Sequence, residues 1–126
     1  MENIRHTFKK GERLKSAREI ASLFEKGKTF LIYPLKVVWM EKSVDSIFPV
    51  QAAFTLSKKN IRQATSRNTL KRRMKEAYRL NKYIMCEKLT NKKMACIFIY
   101  IAIEELPYKT IEKSMKVALK KLILLL

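Results

Sequence analysis

The chain has 126 residues, 48% of them hydrophobic, with only two glycines and three prolines. That composition suits one globular domain and excludes a second independent core or a disordered, linker-rich chain. Lys and Arg number 28 against 11 Asp and Glu, a formal net charge of +17, and a compact body so charged repels itself and seeks a polyanion, nucleic acid before an anionic membrane.

Residues 1–11 are polar and basic and read as a flexible tail on a single domain that otherwise occupies the whole of 1–126. The N-terminus lacks the apolar core of a signal peptide. The longest apolar runs, roughly ten residues, are about half a membrane span, so a soluble, cytoplasmic protein is expected. From Lys15 to Lys26 the apolar positions Ala17, Ile20, Ala21, Leu23 and Phe24 recur at helical spacing, with Gly27 as a stop signal. Residues 30–40 are β-branched and aromatic, a strand whose start Pro34 marks. Leu35, Val37 and Trp39 take one face of it, with Trp39 toward the core, and Lys36, Val38 and Met40 the other. A polar turn spans 42–46. Then Val50, Ala52, Phe54 and Leu56 alternate with Gln51, Ala53, Thr55 and Ser57, the period of a half-buried strand.

The segment from Lys58 to Lys82 holds ten basic residues and one acid, Glu76. At about 100° per residue, Leu70, Met74, Ala77 and Tyr78 form a stripe for the sheet. Arg67, Lys71, Lys75 and Arg79 form a ridge beside it, with Asn68 and Arg72 adjoining. Like charges four apart repel by roughly 0.2–0.5 kcal/mol per pair in a free helix. Ordinary solvated helix faces mix charge signs; this one barely does, which favours use against phosphates. Thr65 or Ser66 is the expected N-cap, with helix-end N–H groups adding positive potential near Arg67 and Asn68. Residues 94–103 are a continuous isoleucine-rich apolar run, a central buried strand. After Pro107, Ile111, Met115, Ala118, Leu119, Leu122 and Leu126 mark a final amphipathic helix, with Lys113, Lys116, Lys120 and Lys121 on its other side. Helices interspersed with a small mixed sheet imply an α+β sandwich.

Candidate chemistry on the chain itself is sparse. Cys86 and Cys96 form no C-x-x-C pair, and His6 is the one histidine, short of the roughly four ligands a zinc site needs. No metal-binding or catalytic constellation is expected, and the cysteines read as buried or idle thiols.

The run Arg67-Asn68-Thr69-Leu70-Lys71-Arg72-Arg73-Met74-Lys75-Glu76, with Tyr78-Arg79 after it and Lys58-Lys59 before, resembles the signature R-N-x-x-K-R-x-x-R-E of the bacterial ribonuclease P protein component. Lys75 stands where Arg is usual. Glu12-Arg13-Leu14, Glu19-Ile20 through Phe24, and Gly27-Lys28 resemble the family's first helix and turn, so the likeness spans about residues 12–82. It implies an α-β-β-β-α-β-α sandwich of the ribosomal protein S5 domain 2 type, with a left-handed βαβ crossover against the general right-handed rule. It further implies a subunit that assists removal of the 5′ leader from precursor tRNA. The chemistry would lie in the RNA subunit, with Mg²⁺ held mainly by RNA and substrate. By the same resemblance, Arg67, Asn68, Lys71, Arg72, Lys75 and Arg79 would bind the catalytic RNA. Phe24, Ile20, Lys36, Val38, Lys58 and Lys59 would belong to a cleft for the single-stranded leader. Ile20 replaces a frequent Phe, Val38 stands where a cleft aromatic is usual, and Asn60 and Arg62 differ from the usual Lys and Gly. For Phe24 the competing reading is a core residue of the first helix. The partners expected are the catalytic RNA and precursor tRNA, with no membrane and no obligate protein partner. The alternatives are a general RNA-binding structural protein such as a ribosomal component, and a membrane-surface protein using the lysine-rich C-terminal helix.

Overall fold

The computed structural model describes residues 8–42, 49–89 and 92–125. In chain order they form a 3-10 turn at Lys10–Glu12, α1 (Ala17–Lys26), β1 (Lys28–Ile32), β2 (Leu35–Lys42), β3 (Val50–Leu56), α2 (Ala64–Asn81), the single turn α3 (Tyr83–Cys86), β4 (Lys93–Tyr100) and α4 (Tyr108–Leu125). The four strands make one sheet in the order β1-β2-β4-β3. β1 pairs with β2 and β2 with β4 in antiparallel fashion, while β3 runs parallel to β4. Parallel neighbours need a crossover connection, and α2 supplies it. The result is the single-domain α+β architecture that the pattern of elements implies.

The sheet is covered unequally. One face presents Leu35, Val37, Trp39, Ala52, Phe54, Cys96 and Phe98 to the buried stripes of α2 and α4, including Leu70, Met74, Met115 and Leu119. The other face presents Val38, Ala95 and Ile97 to Leu14, Leu23 and Ile20, so α1 and the segment just before it lie over it. The expected facing of Leu35, Val37 and Trp39 away from Val38 and Met40 holds, and Trp39 is buried. Tyr78, next to the basic residues of α2, is fully buried. Its ring meets Phe8, Phe54 and Phe98 at centroid distances of 5.7, 5.6 and 5.6 Å.

Several boundaries differ from the sequence expectation. Residues 30–40 are not one strand but most of a hairpin, β1 turning into β2 at a cis Tyr33-Pro34 peptide. Proline lacks the N–H a strand interior needs, and the Pro34 carbonyl instead accepts the Ile101 N–H at 2.9 Å. β4 ends at Tyr100 rather than 103. Its partners run out there, Leu35 and Leu56 standing opposite Tyr100. The Tyr100 hydroxyl then closes the following loop, donating to the Glu104 carbonyl and accepting from the Leu106 N–H. Residues 8–11 are packed rather than a loose tail. Phe8 lies on Phe54 and Tyr78, Gly11 accepts from Gln51 Nε2 at 3.0 Å, and Arg13 bridges to the edge of β3 at Ala52. Buried Glu12 ion-pairs with buried Lys82 at the end of α2. His6, most of the turn at 42–46 and Leu126 lie outside the described residues.

α1 is fixed at both ends. The Ser16 hydroxyl accepts the Glu19 N–H at 3.3 Å, an N-cap of the usual kind. Lys42 Nζ lies 3.2 Å from both Glu19 carboxylate oxygens and also donates to Gln51, which fastens the helix to β2 and β3. At the other end, a Cβ added to Gly27 would lie 2.4 Å from the Leu23 carbonyl oxygen and 2.9 Å from Val38 Cγ1. Close approach, not an unusual φ, requires glycine here. Gly27→Ala should therefore lift α1 off Val38 and destabilise the protein by about 1–3 kcal/mol, the usual range for overpacking. Urea denaturation compared with the parent chain checks this, and an unchanged midpoint would refute it.

Candidate nucleic-acid interface

Positive charge gathers on the side of α2 turned away from the sheet. Leu70, Met74, Ala77, Tyr78 and Asn81 are the buried residues of the helix, as the stripe predicts. Residues four apart drift by about 40° per step, so the row Arg67-Lys71-Lys75-Arg79 runs diagonally from the edge of the buried stripe to the outer face. Asn68, Arg72 and Lys75 are exposed, while Arg67, Lys71 and Arg79 are half-buried.

The arginines are not equivalent. Arg67 Nη1 donates to the carbonyls of Ile61 at 2.9 Å and Arg62 at 2.6 Å, holding the loop that enters α2. Arg79 grips Glu76 through Nε at 3.0 Å and Nη2 at 2.7 Å, and this bond holds the Glu76 carboxyl below its ordinary value. Arg73 donates to the Leu106 carbonyl at 2.8 Å and lies 3.6 Å from Glu105, tying α2 to the loop before α4. Among the described residues, Asn68, Lys71, Arg72 and Lys75 make no side-chain hydrogen bond or ion pair. They are the groups whose donors stand ready for a ligand.

The N-terminus of α2 corrects one expectation. Neither Thr65 nor Ser66 caps it: the helix starts at Ala64, and Gln63 precedes it without a side-chain cap. Thr65 and Ser66 lie inside the first turn, and the Arg67 N–H is spent on the Gln63 carbonyl at 3.0 Å. Arg67 and Asn68 thus sit about a turn into the helix instead of at its open end.

A second surface lies on the opposite side of the sheet. Glu19 and Ser22 of α1 line a recess with Met40, Glu41, Lys42 and Ala95. At about 100° per residue, Ile20 and Phe24 then edge the other flank of α1. Toward that flank runs the cross-strand row Leu31, Lys36, Ile99 and Thr55, aligned by strand register; none of the four is buried by the described residues. Phe24 is 54% exposed, which rules out the reading of it as a core residue. Ile20 is half-buried against Val38 and its neighbours. Lys58 and Lys59 are exposed in the turn just after β3, beyond the Thr55 end of the row. Val38 is a correction: it is 3% exposed, beneath Leu23 and Gly27, and props α1 instead of offering a surface. Leu31, Thr55 and Ile99 were missed because their facing depends on strand register, and the unbroken apolar run around Ile99 hides it.

The remaining reactive groups are quiet. Cys86 and Cys96 are free thiols. Burial pushes Cys86 up to about 11 and Cys96 higher still, so neither is a ready thiolate. Among the described residues no three His, Cys, Asp or Glu side chains come together to hold a metal. No helix there is long and apolar enough to cross a membrane. Three carboxylates near the basic surfaces are matched with cations: Glu76 with Arg79, Glu105 with Arg73, Glu19 with Lys42.

Residues 8–123 match the family Ribonuclease P. Among similar proteins is a ribonuclease P protein component from Porphyromonas gingivalis, 37% identical over 112 residues covering 87% of this chain and 82% of the relative. Another, from Chlorobium phaeobacteroides, is 38% identical over 104 residues, 78% of this chain and 70% of the relative. The fold is similar to the RNase P protein of Staphylococcus aureus, with a TM-score of 0.71 at 20% identity over 88% of this chain and 94% of that one. It is also similar to that of Thermotoga maritima, with a TM-score of 0.69 at 23% identity over 87% and 96%.

Proposed function

The chain belongs to the ribonuclease P protein family and is a protein subunit of ribonuclease P, and from that premise we propose how it works. The outer face of α2 docks on the catalytic RNA, through Asn68, Lys71, Arg72 and Lys75 as direct phosphate ligands. Arg67 and Arg79 flank them, the first also holding the loop before the helix. The observation that carries this reading is that these four side chains are unpaired among the described residues, on a helix otherwise anchored to the sheet and to α4. Planar Arg forks and Lys point charges are the usual phosphate grips, and the binding they give is largely electrostatic.

In the same reading the 5′ leader of precursor tRNA lies along the row Leu31-Lys36-Ile99-Thr55. Phe24 stacks a base at the rim, and Lys36, Lys58 and Lys59 meet the backbone. Ile20 forms an apolar wall. The chain's residues bind and orient RNA, and the hydrolysis of the phosphodiester belongs to the RNA subunit. Mg²⁺, held mainly by the RNA subunit and substrate, would supply activation of water and charge neutralisation there. The assembly works in the cytoplasm.

Reconstitution tests the proposal. Added to a bacterial ribonuclease P RNA at a Mg²⁺ concentration where the RNA alone is slow, the protein should restore cleavage of the precursor-tRNA leader. No rescue at any protein ratio would sink it.

A further inference from the structure

Between α2 and the start of α4 lies an open recess of about 380 Å³ lined by Thr69, Arg72, Arg73, Glu76 and Tyr108. It is on the α2–α4 side of the sheet, across from the α1 cleft. We propose that it receives one unpaired base of the partner RNA, stacked on the Tyr108 ring, with the flanking phosphate on Arg72. This inference rests on the reading of α2 as the RNA-docking face.

The recess is built and held from within. Tyr108 is half-buried, and its hydroxyl donates to Glu112 Oε2 at 3.3 Å. The same oxygen accepts from buried Asn81 at 3.2 Å, so the ring has a fixed pose. Arg73 is spent on the Leu106 carbonyl and Glu105 and forms a wall. Arg72 is exposed and unpaired at the rim.

The charge inside decides what fits. Glu76 lines the recess as a carboxylate clasped by Arg79. A phosphate seated there would face that carboxylate, and like charges repel. A neutral heteroaromatic ring meets no such penalty, and its exocyclic amino groups are donors suited to a carboxylate edge. Unstacked bases lying on aromatic side chains are a common way for proteins to recognise single-stranded RNA.

The test is binding of the full chain to the catalytic RNA of a bacterial ribonuclease P across a salt series. Tyr108→Leu should weaken binding roughly 5- to 100-fold, the range for one stacked base, and leave the salt slope unchanged because no charge is lost. Tyr108→Phe keeps the ring and should bind within about twofold of the parent. Ultraviolet irradiation of the parent complex should crosslink Tyr108 to a nucleotide, a readout that needs no variant to fold. Parental binding by Tyr108→Leu, equal losses in the Leu and Phe variants, a fall in slope, or no crosslink would each overturn the proposal. If Arg72→Ala still weakens binding in that case, α2 remains the docking face. If Arg72→Ala and Tyr108→Leu both leave binding untouched, the docking reading falls with the recess.

Discussion

Lys82→Met should cost the fold about 3–5 kcal/mol, the range for removing one partner of a buried ion pair. Lys82 follows the last residue of α2 and is 8% exposed; its partner Glu12 is 9% exposed. The other Glu12 oxygen accepts the Lys9 N–H at 2.7 Å. Without Lys82 the carboxylate stays buried near Tyr78 with its charge uncompensated, and desolvation dominates. A domain is stable by only about 5–15 kcal/mol in total, so the variant should unfold at much lower urea. Its N-terminal segment should be the first part to come away. The double change Glu12→Leu with Lys82→Met should recover most of the loss, because no unpaired charge remains. Chemical denaturation of the two single variants and the double one measures the coupling. Simple additivity would show that the pair does not act as a pair.

The second large effect concerns RNA. Arg72→Ala combined with Lys75→Ala should weaken binding to the catalytic RNA by roughly 100-fold or more, taking about 1.5–3 kcal/mol for each hydrogen bond to a charged group. The slope of log K against log salt should fall by about two, one per lost phosphate contact. Stability should hardly change, since both side chains are exposed and neither forms an ion pair among the described residues. Weak binding with an undiminished slope would mean that the two residues do not meet phosphates. A loss of stability alongside would mean that they serve the fold.

The contrast between these two experiments marks where the sequence is a sufficient guide. Periodicity places Leu70, Met74, Ala77 and Tyr78 inward because helix geometry is local, and the alternation from Val50 to Leu56 places β3 for the same reason. It does not distinguish Arg72 from Arg73. Both are basic and adjacent, yet one is open and the other clamps the Leu106 carbonyl, a contact 33 residues away. Arg67 likewise shares a signature with Asn68 but spends Nη1 on the carbonyls of Ile61 and Arg62. The cleft is legible only in part. Phe24 stands out at helical spacing, but its exposure depends on where α1 crosses the sheet, which Gly27 and Lys42 decide. Val38 reads as a cleft residue from strand alternation and is buried because α1 sits directly above it. Pro34 does mark the start of β2 at Leu35, but β1 before it is not legible as a separate strand, because a hairpin this tight leaves almost no polar residues between its arms.

The place of β4 between two partners has a further consequence. Cys96-Ile97-Phe98-Ile99-Tyr100 has no charge, no proline and high β-propensity, the makings of a segment that pairs with copies of itself. Lys92 and Lys93 before it and Glu104 and Glu105 after it bracket the segment as gatekeepers. In the folded chain both of its edges are satisfied, by β2 and by β3. The margins of the sheet are β3, bridged by Arg13 at Ala52, and the short β1, which begins with Lys28 and has Lys121 over Phe30, charges that discourage a second strand from adding there. Protection of this segment therefore follows from strand order as much as from flanking charge: the most adhesive strand is the one the topology never leaves at an edge.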